Sequence, residues 1–189
     1  MDIVAENFTK IEKVLNNRKI AVRWGLLTLC RIEFEFYAFA KINDINPFLN
    51  FSEIVDKCIE TVCDNKIYDF SNDMENIRNY YEWLDNEAEN GGEYNYSMPQ
   101  LVELSNYLDY ISDGSDEDAV TIAEFIMSAI SEDYISDRFD IDLEDFSENK
   151  LVLDEIKRIW SDFDFVKACS DSELKELAES YRNLNVMQI

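Results

Sequence analysis

The chain has 189 residues and a formal net charge of −24, from 41 acidic and 17 basic side chains with no histidine. That balance repels nucleic acid and anionic lipid. The missing histidine removes the commonest general base near neutral pH, His-based metal centres and Ser-His or Cys-His nucleophiles. An apolar content of 47 %, including 12 Phe, 10 Tyr and 3 Trp, rules against global disorder and suffices for one substantial core.

Residues 2–16 read as a first helix on the stripe Ile3, Phe8, Ile11, Val14 and Leu15, broken by Asn16-Asn17. A longer helix follows over 19–42. Its richness in Trp24, Leu27, Phe34, Phe36, Tyr37 and Phe39 places it centrally in the core. Pro47 marks a turn, and Ser52 is the expected cap of a third helix with Ile54, Val55, Cys58, Ile59 and Val62 inward. A fourth runs from Ser71 to about Glu89, with Met74, Ile77, Tyr81 and Leu84 inward, and ends at Gly91-Gly92. The segment 93–97 reads as a loop.

A fifth helix spans about 98–112 through Leu101, Leu104, Leu108 and Ile111. Ser115 with Asp118 then resembles a shortened capping box ahead of Ala119, Ile122, Ala123, Ile126 and Ile130. Residues 132–148 alternate apolar and acidic side chains and have no firm periodicity. Helices return over 149–167 (Leu153, Ile156, Ile159, Trp160, Phe163) and 171–183 (Leu174, Leu177, Ala178, Tyr181). Ser170 or Asp171 caps the last, and residues 184–189 are expected to fray. With 4 Gly and 2 Pro, no fixed-period repeat and no low-complexity tract, the expectation is an all-α single domain over 1–189, a bundle of seven or eight helices.

Charge is unevenly placed along this string of helices. Residues 71–148 hold 22 carboxylates against Arg78 and Arg138. The preceding segment is nearly balanced, with 11 acids and 9 bases, and so is the following one, with 8 and 6. Such a stretch attracts basic partners. The densest apolar run, Ile20 to Ile42, is interrupted by Arg23, Arg31, Glu33, Glu35 and Lys41, which a membrane span would have to bury. No export signal opens the sequence, so a cytoplasmic location is expected. Cys30, Cys58, Cys63 and Cys169 form no CxxC pair and read as buried free thiols in a reducing compartment.

No catalytic, cofactor or metal motif emerges. There is no glycine-rich phosphate loop. The acidic loop from Asp109 puts Gly114 at the sixth position of a calcium-loop template, but Ile111 and Val120 occupy ligand positions. A second run from Asp140 fails likewise, with Asp145 at the glycine position and Leu151 at the twelfth. Two constellations remain. Arg31 and Glu35 are four apart and can pair on one helix face, with Asp56 and Glu60 of the next helix as further members of a polar crevice. The aromatics Tyr80, Trp83, Tyr94 and Tyr96, with the acids Asp113, Asp116, Glu117 and Asp118, form a candidate partner-binding surface. There Tyr80 and Trp83 are expected on a helix flank.

The run Ile54-Val55-Asp56-Lys57-Cys58-Ile59-Glu60-Thr61-Val62 resembles the I-L-D-L-I-W-E helix of the YjaG-like bacterial family of small all-helical proteins, grouped under a domain-of-unknown-function label. Leu101-Val102-Glu103-Leu104-Ser105 resembles that family's V-A-L-S region, and Ala119-Val120 its A-V helix start. Arg31 falls where the family has an E-R pair ahead of an aromatic. Here Cys30 replaces the acid, and the following proline is absent. The resemblance covers about residues 20–165. It implies a helical, single-domain cytoplasmic protein and carries over no catalytic residue. The expected function is that of a non-enzymatic acidic binding protein docking on a basic protein, with neutralisation of a basic bacterial toxin (an immunity protein) as the concrete version. The alternatives are a housekeeping member of the YjaG-like family and a carboxylate-based metalloenzyme. The last lacks the Glu-x-x-His pairs of the usual di-metal bundle.

Overall fold

Helices in this chain start and stop where asparagine, aspartate and serine side chains take over hydrogen bonds that the backbone cannot complete. The computed structural model describes residues 3–42, 49–89, 99–113, 119–128 and 149–186. Among them are eight α-helices and no strand. These are α1 (Ile3–Val14), α2 (Arg18–Ile42), α3 (Phe51–Asp64), α4 (Ser71–Glu89), α5 (Pro99–Asp113), α6 (Ala119–Ser128), α7 (Lys150–Ala168) and α8 (Asp171–Val186). The all-α bundle expected from the sequence is what forms. The segments 93–97, 114–118 and 132–148 lie outside the described residues.

The caps account for the boundaries. Asn17 Oδ1 accepts the Ile20 N–H at the start of α2 (3.3 Å). Asn50, not Ser52, caps α3: its carbonyl accepts the Glu53 N–H (3.4 Å) and its amide returns to the Glu53 carboxylate (3.2 Å). α3 stops at Asn65, whose left-handed backbone (φ 56) turns its N–H, with that of Lys66, back onto the Glu60 carbonyl. Ser170 and Glu173 form a reciprocal capping box at α8. The Ser170 Oγ accepts the Glu173 N–H (3.2 Å), while the Glu173 carboxylate accepts the Ser170 N–H (2.7 Å).

α2 is the axis of the bundle, in contact with α3, α5, α6, α7 and α8. Residues 23–33 are buried on every side, so the stretch is mostly apolar and its charged members Arg23, Arg31 and Glu33 need partners inside the bundle. α4 packs on α5, α5 on α6 and α1 on α6, while α3 and α8 pack on each other as well as on α2. Trp24 sits between α2 and α7 against Trp160 and Phe163, its indole N–H on the Ile159 carbonyl (3.1 Å). At Gly25 the ring of Tyr107 lies so close that a Cβ would meet its Cε2 at 2.5 Å. That approach lets the Tyr107 hydroxyl donate to the Val22 carbonyl (2.9 Å) while its ring stacks on Phe125.

The inward face of α4 differs from the expected one. Asp73, Ile77, Tyr80 and Leu84 are buried, a 4-3-4 spacing, and Met74 and Tyr81 fall to its edge. Two contacts set this rotation. Lys57 of α3 binds both oxygens of Asp73 (3.0 and 3.1 Å), and the Tyr80 ring packs on Phe36 of α2.

Candidate functional site

Three charged side chains of α2, Arg23, Arg31 and Glu33, anchor neighbouring helices. Arg31 finds its carboxylate in Asp162 of α7 at 2.5 Å, with the two side chains 5 % and 3 % exposed. The intrahelical pairing expected with Glu35 falls on a side chain outside the described residues, though the Glu35 backbone lies in α2. The second Asp162 oxygen accepts the Tyr181 hydroxyl of α8 (2.5 Å), and Arg31 lies over the Tyr181 ring. Burial pushes the Asp162 carboxyl above its ordinary value, against the lowering pull of Arg31 and Tyr181. Tyr181 is also raised, by burial and by the adjacent carboxylate.

Two residues on from Arg31, and so on a different side of α2, Glu33 faces α3 and α8. Arg182 grips it with two nitrogens (2.6 and 3.1 Å), and the Ser52 hydroxyl donates to Glu33 Oε1 (2.5 Å). The same guanidinium reaches Asp56 (2.5 Å). Burial works against its charge, but the bonds to Glu33 and Asp56 outweigh that and hold Arg182 above its ordinary value. A third buried cation, Arg23, donates to the Val166 and Cys169 carbonyls (2.9 and 3.0 Å) and to Asp171 (2.8 Å). It thereby closes the C-terminus of α7 and orients the start of α8.

Of the expected crevice, then, Asp56 belongs to the Glu33–Arg182 cluster and Arg31 to the Asp162–Tyr181 cluster. Glu60 belongs to neither: it binds Lys66 and Tyr68 at the end of α3. Their oxygens are occupied by fixed donors, an arrangement suited to joining helices rather than to passing a proton. The sequence reading missed Glu33, Asp162, Tyr181, Arg182 and Ser52. Asp162 carried a legible signal, because it stands at a core position between Ile159 and Val166 in an otherwise apolar face.

The partner-binding constellation separates differently. Tyr80 is 0 % exposed, in the core against Phe36, which corrects its expected place on a flank. Its side chain is committed there by the rotation of α4. Trp83 is half-buried and packs on Tyr80. Tyr94, Tyr96, Asp116, Glu117 and Asp118 lie outside the described residues, and Asp113 is described only as the last residue of α5.

Charge partition is the remaining feature. The ion pairs of Lys10, Lys19, Arg23, Arg31, Lys66, Lys150, Lys157, Arg158, Lys167, Lys175 and Arg182 all run to carboxylates outside residues 71–148. Among the described residues only Lys57 reaches into that stretch, at Asp73. Glu75 and Glu82 on α4, Asp109 on α5 and Glu124 on α6 are exposed.

Among the described residues no group of Cys, Asp or Glu side chains is disposed to hold a metal ion, and no helix is long and apolar enough to cross a membrane. No protein-family model matches the chain, nor does any curated protein or solved structure. The likeness to the YjaG-like family therefore rests on the quoted sequence segments alone.

Proposed function

We propose that this chain is a non-enzymatic binding protein whose acidic middle docks on a basic protein. The observation that supports this is the charge partition. Among the described residues the ion pairs of α1, α2, α7 and α8 run to carboxylates outside residues 71–148, while Lys57 of α3 binds Asp73 of α4 and Arg18 of α2 donates to the Tyr110 carbonyl of α5. Of the described residues on α4, α5 and α6, Glu75, Glu82, Asp109 and Glu124 are exposed, and Arg78 is the one basic side chain that these helices carry. A surface of that kind is costly to the fold through self-repulsion and favours fast, salt-sensitive association with a cationic partner. Neutralising a basic toxin is the concrete form of the reading: a nuclease must be cationic to hold nucleic acid, and an acidic partner occludes it by charge complementarity. The four thiols, all free, fit a protein working in a reducing cytoplasm.

Affinity capture on the whole chain at low ionic strength, repeated at high salt, tests the reading. One basic protein recovered in equal stoichiometry and lost at high salt is the expected result. A partner of neutral or acidic charge, or binding indifferent to salt, would overturn it.

A further inference from the structure

α3 and α8, which pack on each other and on α2, are attached in different ways. α3 buries Phe51, Ile54, Val55, Cys58, Ile59 and Cys63. Over residues 171–182, α8 buries only Leu174 and Ala178 among its apolar side chains, with Leu177 and Tyr181 half-covered. It is held instead by a polar tie at nearly every turn. Asp171 binds Arg23 (2.8 Å), Lys175 binds Asp64 of α3 (2.7 Å), Tyr181 donates to Asp162 of α7 (2.5 Å), and Arg182 binds Glu33 and Asp56. The chain enters α8 through the two residues Cys169 and Ser170.

These two kinds of attachment respond differently to opening. Exposing an apolar face forfeits its burial outright. Separating an ion pair into water exchanges one stabilised state for another, because both charges recover their hydration. A helix held by few apolar contacts and several half-exposed ion pairs therefore opens at lower free energy than the core it covers.

We propose that α8 is a charge-clasped strap that opens as a unit while α2 and α3 stay folded, baring a floor lined by Glu33, Asp56, Asp64 and Asp162. This inference is independent of the basic-partner reading, since it concerns the packing of α8 on α2 and α3 and needs no ligand. The strap's own cations neutralise three of these acids when it is closed, Lys175 at Asp64 and Arg182 at Glu33 and Asp56, while Asp162 keeps Arg31 of α2.

Native-state hydrogen exchange on the whole chain, resolved by helix and repeated in low denaturant, tests it. Amides from Leu174 to Tyr181 should share one opening and exchange at least about tenfold faster than those from Trp24 to Ile32. Arg182→Gln should speed the α8 set further without moving the α2 set, and Arg182→Lys should restore part of the protection. A single common exchange rate for α8 and α2 in the unsubstituted chain would overturn the proposal, whether or not the variants fold. So would equal acceleration of both sets by Arg182→Gln.

Discussion

Arg31 and Asp162 meet in the core at 2.5 Å although 131 positions separate them in sequence. The pair joins the central helix α2 to α7, and Tyr181 of α8 completes it. Asp162→Asn keeps the shape and removes the counter-charge, leaving a guanidinium buried without its partner. The expected loss is about 3–5 kcal/mol of unfolding free energy in urea. Replacing both members with apolar residues, Arg31→Met with Asp162→Leu, should recover most of it. A single-variant loss below about 1 kcal/mol would place the pair in contact with solvent.

Gly25 is required by its neighbour and not by its backbone. In an exposed helix interior, alanine would be favoured over glycine by about 1 kcal/mol. Here a Cβ meets the Tyr107 ring, so Gly25→Ala should destabilise by about 1–3 kcal/mol despite its better propensity. Tyr107→Leu in the same chain should reverse the sign of the Gly25→Ala effect. Thermal denaturation of the four members of this cycle decides the matter.

Acid stability should show two opposed contributions. Hydrogen bonds from Lys66 and Tyr68 hold Glu60 below the ordinary carboxylate range. Ser71 does the same for Asp69, Lys150 and Lys157 for Asp154, and the Ser170 backbone and hydroxyl for Glu173. Each depressed group contributes stability that is present above its unfolded value, about 4, and lost as pH falls through the folded one. Asp162 has the opposite sign. Burial raises it, so its charge costs stability above the folded value, and that cost is relieved as pH falls through it. Carboxyl NMR titration should find Asp162 taking its proton at higher pH than Glu173. The reverse order would contradict the buried geometry.

Thiol reactivity should follow burial. Burial pushes Cys30 and Cys58 well up and Cys63 up to about 11, and all three side chains are covered. Thiolate is the reactive form. Alkylation of the native chain at mild alkaline pH, read by mass spectrometry, should therefore label Cys169 first. Cys30 and Cys58 should react at a rate set by unfolding. Fast labelling of Cys58 would mean that α3 opens from the bundle on its own.

The helices were legible in the sequence because their signals are local. The apolar periods of α1, α3 and α7, the break at Asn16-Asn17 and a cap at Ser170 or Asp171 are each read within a few residues. Two things were not. The rotation of α4 depends on Lys57 and Phe36, which belong to other helices, so its own stripe pointed one position away, toward Met74 and Tyr81. Asp162, which Arg31 binds, and Arg182, which binds Glu33, lie more than a hundred residues downstream, beyond the reach of any local spacing. Asn50 was passed over as a cap because Ser52 stood closer to the apolar run. The structure uses Ser52 instead to hold Glu33.

The acidic flank is the feature on which the functional account stands, and charge neutralisation by helix tests it most directly. One variant carries Glu75→Gln, Glu82→Gln, Asp109→Asn and Glu124→Gln, on α4, α5 and α6. A control removes the same charge from exposed positions elsewhere through Glu12→Gln, Asp164→Asn, Glu176→Gln and Glu179→Gln. Equilibrium binding of the captured basic protein is then measured for each across a salt series. The account predicts that the first variant binds at least about tenfold more weakly with a flattened salt dependence, while the control stays close to the unsubstituted chain. Equal weakening by both sets, or none by the first, would contradict docking through the acidic middle.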